Sequence, residues 1–215
     1  MNKNLNSITR NMATKMNIVF CFLFSLFFLS TELSAQGTDS SRPWTFLTRL
    51  TASSISDESD PEGYTIYSSI NLEISLRRKI NRFLTTELNI GTQSREVDLT
   101  DPDGNEVSLG AIELLPINLL LQYHLSLGSW QPYFGAGANY TKIWEKSGTL
   151  NSREFSDNFG FVLQLGSDVD ILPYALFNFE IKVIDMAVSF ETPGEPDTKF
   201  ELNPFSIGVG LGFRF

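Results

Sequence analysis

The stretch from Asn203 to Phe215 reads Asn-Pro-Phe-Ser-Ile-Gly-Val-Gly-Leu-Gly-Phe-Arg-Phe, and it decides the fold. Large apolar side chains occupy every second position from Phe205 onward, and glycine, serine or arginine fills the positions between them. This alternation predicts a β-strand with one apolar face and one small, polar face. In a soluble sheet such an edge would be prone to aggregation. It suits a strand that closes a transmembrane β-barrel, where lipid covers the apolar face.

The N-terminal region has the three parts of a secretory signal peptide. Basic residues precede a short apolar run, Ile18 to Leu29, and the small-residue segment Leu33 to Ala35 follows it. The run is too short to span a bilayer as a helix. We predict a signal peptide over residues 1–35, cleaved after Ala35, with Met12 or Met16 as alternative start sites.

The composition argues against several classes of protein. The chain has 215 residues, a formal net charge of −9 and a single cysteine. An acidic total argues against a partner that is a nucleic acid. Cys21 lies inside the predicted leader, so we expect neither a disulfide nor a thiolate metal site in the mature chain. No run after Ala35 approaches the roughly 18–20 apolar residues that a membrane helix needs. The exported chain is therefore predicted to be either soluble or a barrel.

Eight segments of the mature chain alternate with period two. They cover residues 44–54, 66–78, 83–95, 112–127, 131–144, 158–170, 174–190 and 203–215. Their connections alternate between long and short, as in bacterial outer-membrane barrels, which have short periplasmic turns and long external loops. The predicted fold class is all-β, an eight-stranded antiparallel transmembrane β-barrel over residues 44–215. Residues 36–43 would form a short periplasmic segment, and both termini would lie in the periplasm.

Polar side chains indicate which face of each strand points inward. A cation on the lipid face costs about 2–4 kcal/mol at mid-depth, so reversing the faces of all strands would cost on the order of 10 kcal/mol. The side chains predicted to face the lumen are Arg49, Glu73, Glu87, Gln122, Gln164, Glu180, Lys182 and Arg214. Because an eight-stranded barrel is narrow enough for side chains to fill it, we interpret the charges as a paired internal network. The alternative is that they line a path for a solute.

Several runs resemble, in the same order, the OmpW family of outer-membrane barrels. They are Leu115–Leu119, Gln122–His124, Gln131–Thr141, Ile184–Asp185 and Asn203–Phe215. The resemblance implies a barrel that takes up small hydrophobic molecules and releases them sideways into the membrane. Pro116 matches a proline that is associated with the lateral exit in that family. The family often has a second proline next, where this chain has Ile117, so a smaller opening is expected.

The chemistry of Pro116 gives a physical reason for such an exit. Proline has no backbone N–H, so it weakens the ladder between the third and fourth strands and makes a gap there plausible. The alternative interpretation is that Pro116 only marks the start of the fourth strand.

The resemblance and the residues together imply a set of partners. They are outer-membrane lipid and lipopolysaccharide, small hydrophobic solutes, and the barrel-assembly machinery, which would bind the aromatic terminus at Phe213 and Phe215. No nucleic acid, metal or cofactor is expected. The alternative function is a structural or interaction barrel with a plugged lumen, whose external loops bind host, phage or lipopolysaccharide.

Two further motifs bear on catalysis and on metal binding. An enzyme acting on outer-leaflet lipid would need a histidine with a serine or carboxylate near the external rim. The single histidine, His124, lies beside Ser126 at the opposite end of its strand, so we predict that the protein is not an enzyme. The segment Asp101 to Glu106 is faintly similar to a calcium loop, but Gly104 comes too early. A hairpin turn with Asp-Gly at its tip is predicted instead.

Overall fold

A computed structural model describes residues 42–54, 64–66, 68–100, 106–148, 154–155, 158–185, 187–191, 198–201 and 203–215. The predicted signal peptide, residues 55–63 of the connection predicted at 55–65, and the Asp-Gly tip at 101–105 lie outside the described residues. Within them, no helix has the length and apolar character needed to cross a membrane.

The described residues form twelve β-strands. They are β1 (Trp44–Ser54), β2 (Tyr64–Ile66), β3 (Ser69–Lys79), β4 (Leu84–Thr100), β5 (Glu106–His124), β6 (Trp130–Lys146), β7 (Glu154–Phe155), β8 (Asn158–Leu172), β9 (Ala175–Asp185), β10 (Ala187–Glu191), β11 (Thr198–Glu201) and β12 (Phe205–Arg214). Eight of them pair antiparallel in the closed order β1-β3-β4-β5-β6-β8-β9-β12, and β12 returns to β1. The predicted eight-stranded barrel is therefore confirmed.

The terminal strand closes the barrel as its sequence predicts. β12 lies between β1 and β9 and pairs with both along its length. At its end the Trp44 N–H donates to the Phe215 carbonyl over 3.1 Å, and the Phe215 N–H donates to the Trp44 carbonyl over 2.9 Å. Both edges of the strand are thus satisfied by backbone hydrogen bonds, as a strand inside a bilayer requires.

Apolar side chains point outward and polar side chains fill the interior. Leu72, Leu163 and Leu211 are 51–63% exposed on the outer face, whereas Arg49 and Lys182 are each 1% exposed inside. This distribution is the reverse of that in a soluble protein and is expected when lipid is the outer solvent.

The two ends of the barrel differ in their connections. We call one the turn end: it carries the short connections at residues 80–83, 125–129 and 173–174, the start of β1 and the end of β12. The opposite end, from which the longer connections extend, is the loop end.

The hairpin between β4 and β5 is longer than the sequence predicts. Residues 96–111 were expected to be a polar loop, but they continue the ladder, with Glu96 opposite Ala111 and Thr100 opposite Glu106. The prediction was wrong because it equated polar composition with a loop. Ladder hydrogen bonds are made by the backbone, so polar strands remain favourable where lipid does not contact their side chains.

The end of the seventh predicted strand also differs from expectation. β9 ends at Asp185, and β10 joins β11 and β7 in a separate three-stranded sheet at the loop end. Part of the predicted external loop at 191–202 is therefore strand, because the segment pairs with its own return stretch.

One short turn is held by a side chain that a mutation can remove. Asn81 Oδ1 accepts hydrogen bonds from the backbone N–H of Phe83 over 2.8 Å and of Leu84 over 2.9 Å. We expect Asn81→Ala to lower the free energy of unfolding by about 0.5–1.5 kcal/mol, because two turn donors lose their acceptor. Asn81→Asp keeps the acceptor and is the matched control. Urea unfolding of the refolded proteins measures both, and equal stability of the two variants would contradict this role.

Candidate functional site: the interior plug and the seam beside Pro116

Seven ionisable side chains cross the barrel interior at mid-height, and we call them the ionic plug. They are Arg49, Glu73, Arg77, Glu87, Asp168, Glu180 and Lys182, all of them buried. They project from β1, β3, β4, β8 and β9 because they occupy the inward parity of those strands. Three cations therefore face four carboxylates in a space from which solvent is almost excluded.

Arg49 lies at the centre of the plug. Its guanidinium contacts Glu87 on β4, with Nη1 2.8 Å from Oε1, and Glu180 on β9, with Nε 3.1 Å from Oε2. Nε also donates to Asn178 Oδ1 over 2.6 Å. The planar fork of arginine can serve several acceptors at once, so this side chain connects opposite walls of the barrel.

Arg77 forms the part of the plug nearest the turn end. Its Nε lies 2.6 Å from Glu87 Oε2, and its Nη1 contacts both carboxylate oxygens of Asp168, at 3.0 and 2.8 Å. Nη2 donates to the Tyr133 hydroxyl oxygen over 2.8 Å. The guanidinium carbon also lies 4.7 Å from the centre of the Tyr133 ring. All of these partners are buried, so the charge of Arg77 is compensated inside the protein.

Lys182 completes the plug, and two glutamines are hydrogen-bonded to it. The Lys182 ammonium lies 2.7 Å from Glu73 Oε2 and 3.0 Å from Glu180 Oε1. Gln122 donates to Gln164 Oε1 over 2.7 Å, and Gln164 donates to Glu180 Oε2 over 2.6 Å. These amides link β5 and β8 to the charges and supply the hydrogen bonds that buried carboxylates need.

A row of amides runs across three adjacent strands beside the plug. Asn118 on β5 donates to Asn89 Oδ1 on β4, and Asn139 on β6 donates to Asn118 Oδ1, each over 2.8 Å. Thr141 continues the row by donating to Asn139 Oδ1 over 2.9 Å. Asn89 in turn donates to Glu73 Oε2 over 2.9 Å, so the row is anchored to the plug.

The structure brings seven of the eight predicted lumen side chains into this one network. Arg214 is the exception: it lies part-exposed at the turn end, with Nη2 2.7 Å from Asp170 Oδ1. Sequence reasoning did not single out Arg77, Asp168 or Tyr133 as site residues. The sequence signal that could have found them is their position, since each lies on the polar face of its strand. Tyr133 was missed because an aromatic residue on that face was not expected to be an interior hydrogen-bond partner.

The seam between β4 and β5 is interrupted beside Pro116. Strand pairing continues from Leu84 to Ile90 and resumes at Gln93 with the same register, but the pairs Gly91–Pro116 and Thr92–Leu115 are missing. The His124 N–H points to the β4 side of β5, where it donates over 2.7 Å to the carbonyl of Phe83, the residue just before β4. Backbone groups alternate in direction along a strand, so position 116 also points toward β4. The N–H that proline lacks is therefore one that this seam would use.

The interior on the loop side of the plug has two kinds of wall. Beyond the amide row, the buried side chains on β5, β8 and β9 are apolar, and Thr141 of β6 lies among them. They are Leu114, Pro116, Val162 and Ile184. Buried side chains on β1, β3 and β4 are polar instead. They are Ser53, Asn71, Gln93 and Arg95. The interrupted seam lies where the two walls meet.

His124 is part of the interior packing. Its Nε2 lies 3.1 Å from Gln122 Oε1, and its ring stacks on Tyr133 with centroids 4.8 Å apart. Ser126 is exposed beyond the end of β5. A nucleophilic site would need His124 hydrogen-bonded to Ser126. Among the described residues, no such contact is present.

The closed barrel, its lipid-facing apolar surface and its polar interior define the class of this protein: it is an outer-membrane β-barrel. The OmpW family model matches residues 47–215, and the chain belongs to the OmpW family. It is accordingly a protein of the bacterial outer membrane.

Three relatives illustrate the similarity. The chain is 30% identical to the uncharacterized outer-membrane protein y4mB of Sinorhizobium fredii, over 80% of each chain. It is 29% identical to the dibenzothiophene metabolism operon protein PahQ of Pseudomonas aeruginosa, over 51% of this chain and 54% of that protein. The crystal structure of OprG from Pseudomonas aeruginosa superimposes with a TM-score of 0.66 at 23% identity, covering 81% of this chain and 96% of OprG.

Proposed function

We propose that the protein passes small hydrophobic molecules across the outer membrane, receiving them at the loop end and releasing them sideways through the seam beside Pro116. The observation that carries the proposal is the interruption of the β4–β5 ladder at Gly91–Pro116, where Gly91 lies opposite Glu73 of the plug. No chemical conversion of the solute is proposed, since the interior offers ion pairs and amides that are already bonded to each other.

The plug supports a sideways exit over an axial one. A solute moving along the barrel axis would have to separate Arg49 from Glu87 and Glu180, all of which are almost fully buried. Breaking one partner away from a buried pair typically costs about 3–5 kcal/mol, and an apolar solute offers nothing in exchange. A seam in which Pro116 offers no N–H opens at lower cost, because one ladder hydrogen bond to β4 is already absent there.

The walls of the loop-side interior support an apolar solute. Leu114, Pro116, Val162 and Ile184 offer an apolar lining that leads to the seam. The outer face beyond the seam is in contact with lipid, which dissolves apolar molecules. The chain is similar to a protein named for the metabolism of dibenzothiophene, and dibenzothiophene is an apolar aromatic compound. This similarity is consistent with the proposed solute class.

Uptake by liposomes tests the proposal. The refolded mature chain is reconstituted, and entry of an apolar solute is compared with entry of a polar solute of equal size. Selective entry of the apolar solute is expected. If neither enters through a barrel shown to be folded, hydrophobic transport is wrong.

Replacing Pro116 tests the exit route. Pro116→Ala restores an N–H that can donate across the seam, so we expect apolar uptake to fall toward that of protein-free liposomes while the barrel stays folded. Pro132→Ala makes the same change on β6 at the turn end, where Pro132 pairs with Ser167 on β8, and should leave uptake unchanged. Normal uptake by folded Pro116→Ala would reject the lateral exit and leave hydrophobic transport standing.

The same plug favours one alternative function. A lumen closed by buried ion pairs fits an anchor whose external loops bind host, phage or lipopolysaccharide. Competition by peptides copied from the loops would then block binding of the partner, whereas Pro116→Ala would have no effect on it.

A further inference from the structure

We propose that the turn end of the barrel holds a blind binding site for small soluble anions that carry a phosphate group. This site is separate from the proposed path of hydrophobic solutes, which lies on the other side of the plug. We call it the turn-end vestibule. It is a cavity of about 390 Å³, and its charged lining consists of Arg42, Arg77, Lys79, Arg82, Arg214 and Asp168.

The charge of the vestibule is opposite to that of the protein. Five basic side chains and one carboxylate line it, in a chain whose formal net charge is −9. Asp168 is already bonded by both oxygens to Arg77, and Arg214 is paired with Asp170. These pairs neutralise part of the lining and leave the remaining cations in excess.

Three of the cations differ from Arg77 and Arg214, which have carboxylate partners. Among the residues that the structure describes, no carboxylate lies within ion-pair distance of Arg42, Lys79 or Arg82. The Arg82 guanidinium does lie over the Phe83 ring, 4.2 Å from its centre, which leaves its donors available. Like charges that face one cavity repel each other, and an anion bound between them would relieve this repulsion.

The chemistry of the lining selects phosphate among anions. Guanidinium groups present paired N–H donors that match the spacing of phosphate oxygens, and an ammonium adds a point charge. Thr45, Thr85 and Gln131 contribute neutral polar groups to the same lining. The volume exceeds that of inorganic phosphate alone, so it admits a phosphate monoester with a small organic part.

The site is blind because the plug forms its floor. Arg77 lies between the vestibule and the interior, held by Glu87, Asp168 and Tyr133. An anion that enters would meet the carboxylates of the plug behind this arginine. We therefore infer binding without passage. In the orientation predicted from the loop lengths, the vestibule opens to the periplasm.

Titration of the refolded chain in an uncharged, phosphate-free detergent tests the inference. Inorganic phosphate and glycerol phosphate are added separately at low ionic strength, and binding is followed by calorimetry and by shifts of backbone amide signals near Lys79. We expect both anions to bind. Binding should be tighter to a chain that keeps more of these cations, and it should weaken as salt is added. The triple variant Arg42→Gln, Lys79→Met, Arg82→Gln should bind these anions roughly tenfold or more weakly than the parent chain. Each exposed charge contributes only modestly, so all three are removed together.

Lys142→Met is the matched control, because Lys142 is an exposed cation near the loop end of β6. It should bind phosphate as the parent does. Absence of phosphate binding by the parent chain overturns the proposal, as does equal binding by the triple variant.

A lipid headgroup is the other source of phosphate, and vesicles test for it. Binding to anionic phosphatidylglycerol vesicles is compared with binding to phosphatidylcholine vesicles, which carry no net charge. If only the anionic vesicles bind, the cations contact the bilayer surface and the soluble-anion site is wrong. Apolar uptake by the triple variant should be unchanged, so this test is independent of the hydrophobic path.

Discussion

Arg49→Met is expected to destabilise the barrel by about 3–5 kcal/mol, because it removes one partner from a buried ionic network. The side chain is 1% exposed and contacts both Glu87 and Glu180. Methionine fills much of the volume but cannot donate hydrogen bonds. The plug then holds four carboxylates against two cations, which increases its net negative charge. Equilibrium unfolding in urea measures the loss.

The charge balance of the plug also predicts an asymmetry between partners. Glu87→Gln keeps the shape of the side chain and leaves three cations facing three carboxylates, so we expect a smaller loss than for Arg49→Met. The double variant should be less unstable than the sum of the two single variants, with a coupling of about 0.5–3 kcal/mol. Additive losses would mean that the two residues do not act as a pair, and a greater loss for Glu87→Gln would contradict the importance of net charge.

This network also marks the limit of what the sequence could predict. Period two placed Arg49, Glu87 and Glu180 on inward faces, because parity is a local property of each strand. Their partners are set by closure of the barrel: Arg49 and Asn178 are 129 positions apart in the chain and meet only when β12 joins β1 to β9. The barrel could thus be predicted, whereas the pairing inside it could not.

The seam beside Pro116 shows the same division. A proline within a strand identifies a weak position in a ladder from sequence alone. Its direction toward β4, and the absence of pairing at Gly91 and Thr92, depend on the register with the neighbouring strand. The long β4–β5 hairpin was missed for a different reason, since its polar composition carried no signal that distinguishes a strand outside the lipid from a loop.

Gly137→Ala is expected to be the most disruptive small substitution in β6. A Cβ at this position would overlap the carbonyl oxygen of Leu119 and lie 2.8 Å from the Leu120 Cα, both backbone atoms of β5. No side-chain rotation can relieve such contacts, so the two strands would have to separate. Overpacking of this kind typically costs about 1–3 kcal/mol and occasionally more. We expect a loss at or above the upper end of that range, measured by urea unfolding.

Gly135→Ala is the matched control, because it makes the same change on the same face of the same strand. Its Cβ would lie 3.0 Å from Gln164 Oε1 and 3.1 Å from Gln122 Cγ, which are side-chain atoms that can shift by a few tenths of an ångström. A smaller loss is therefore expected than for Gly137→Ala. The comparison separates two roles of glycine in a narrow barrel: space for the glutamines beside the plug at position 135, and close approach of two backbones at position 137. Equal losses in the two variants would show that strand separation is not the cost at Gly137, and would place the tight packing of this wall in the side chains instead.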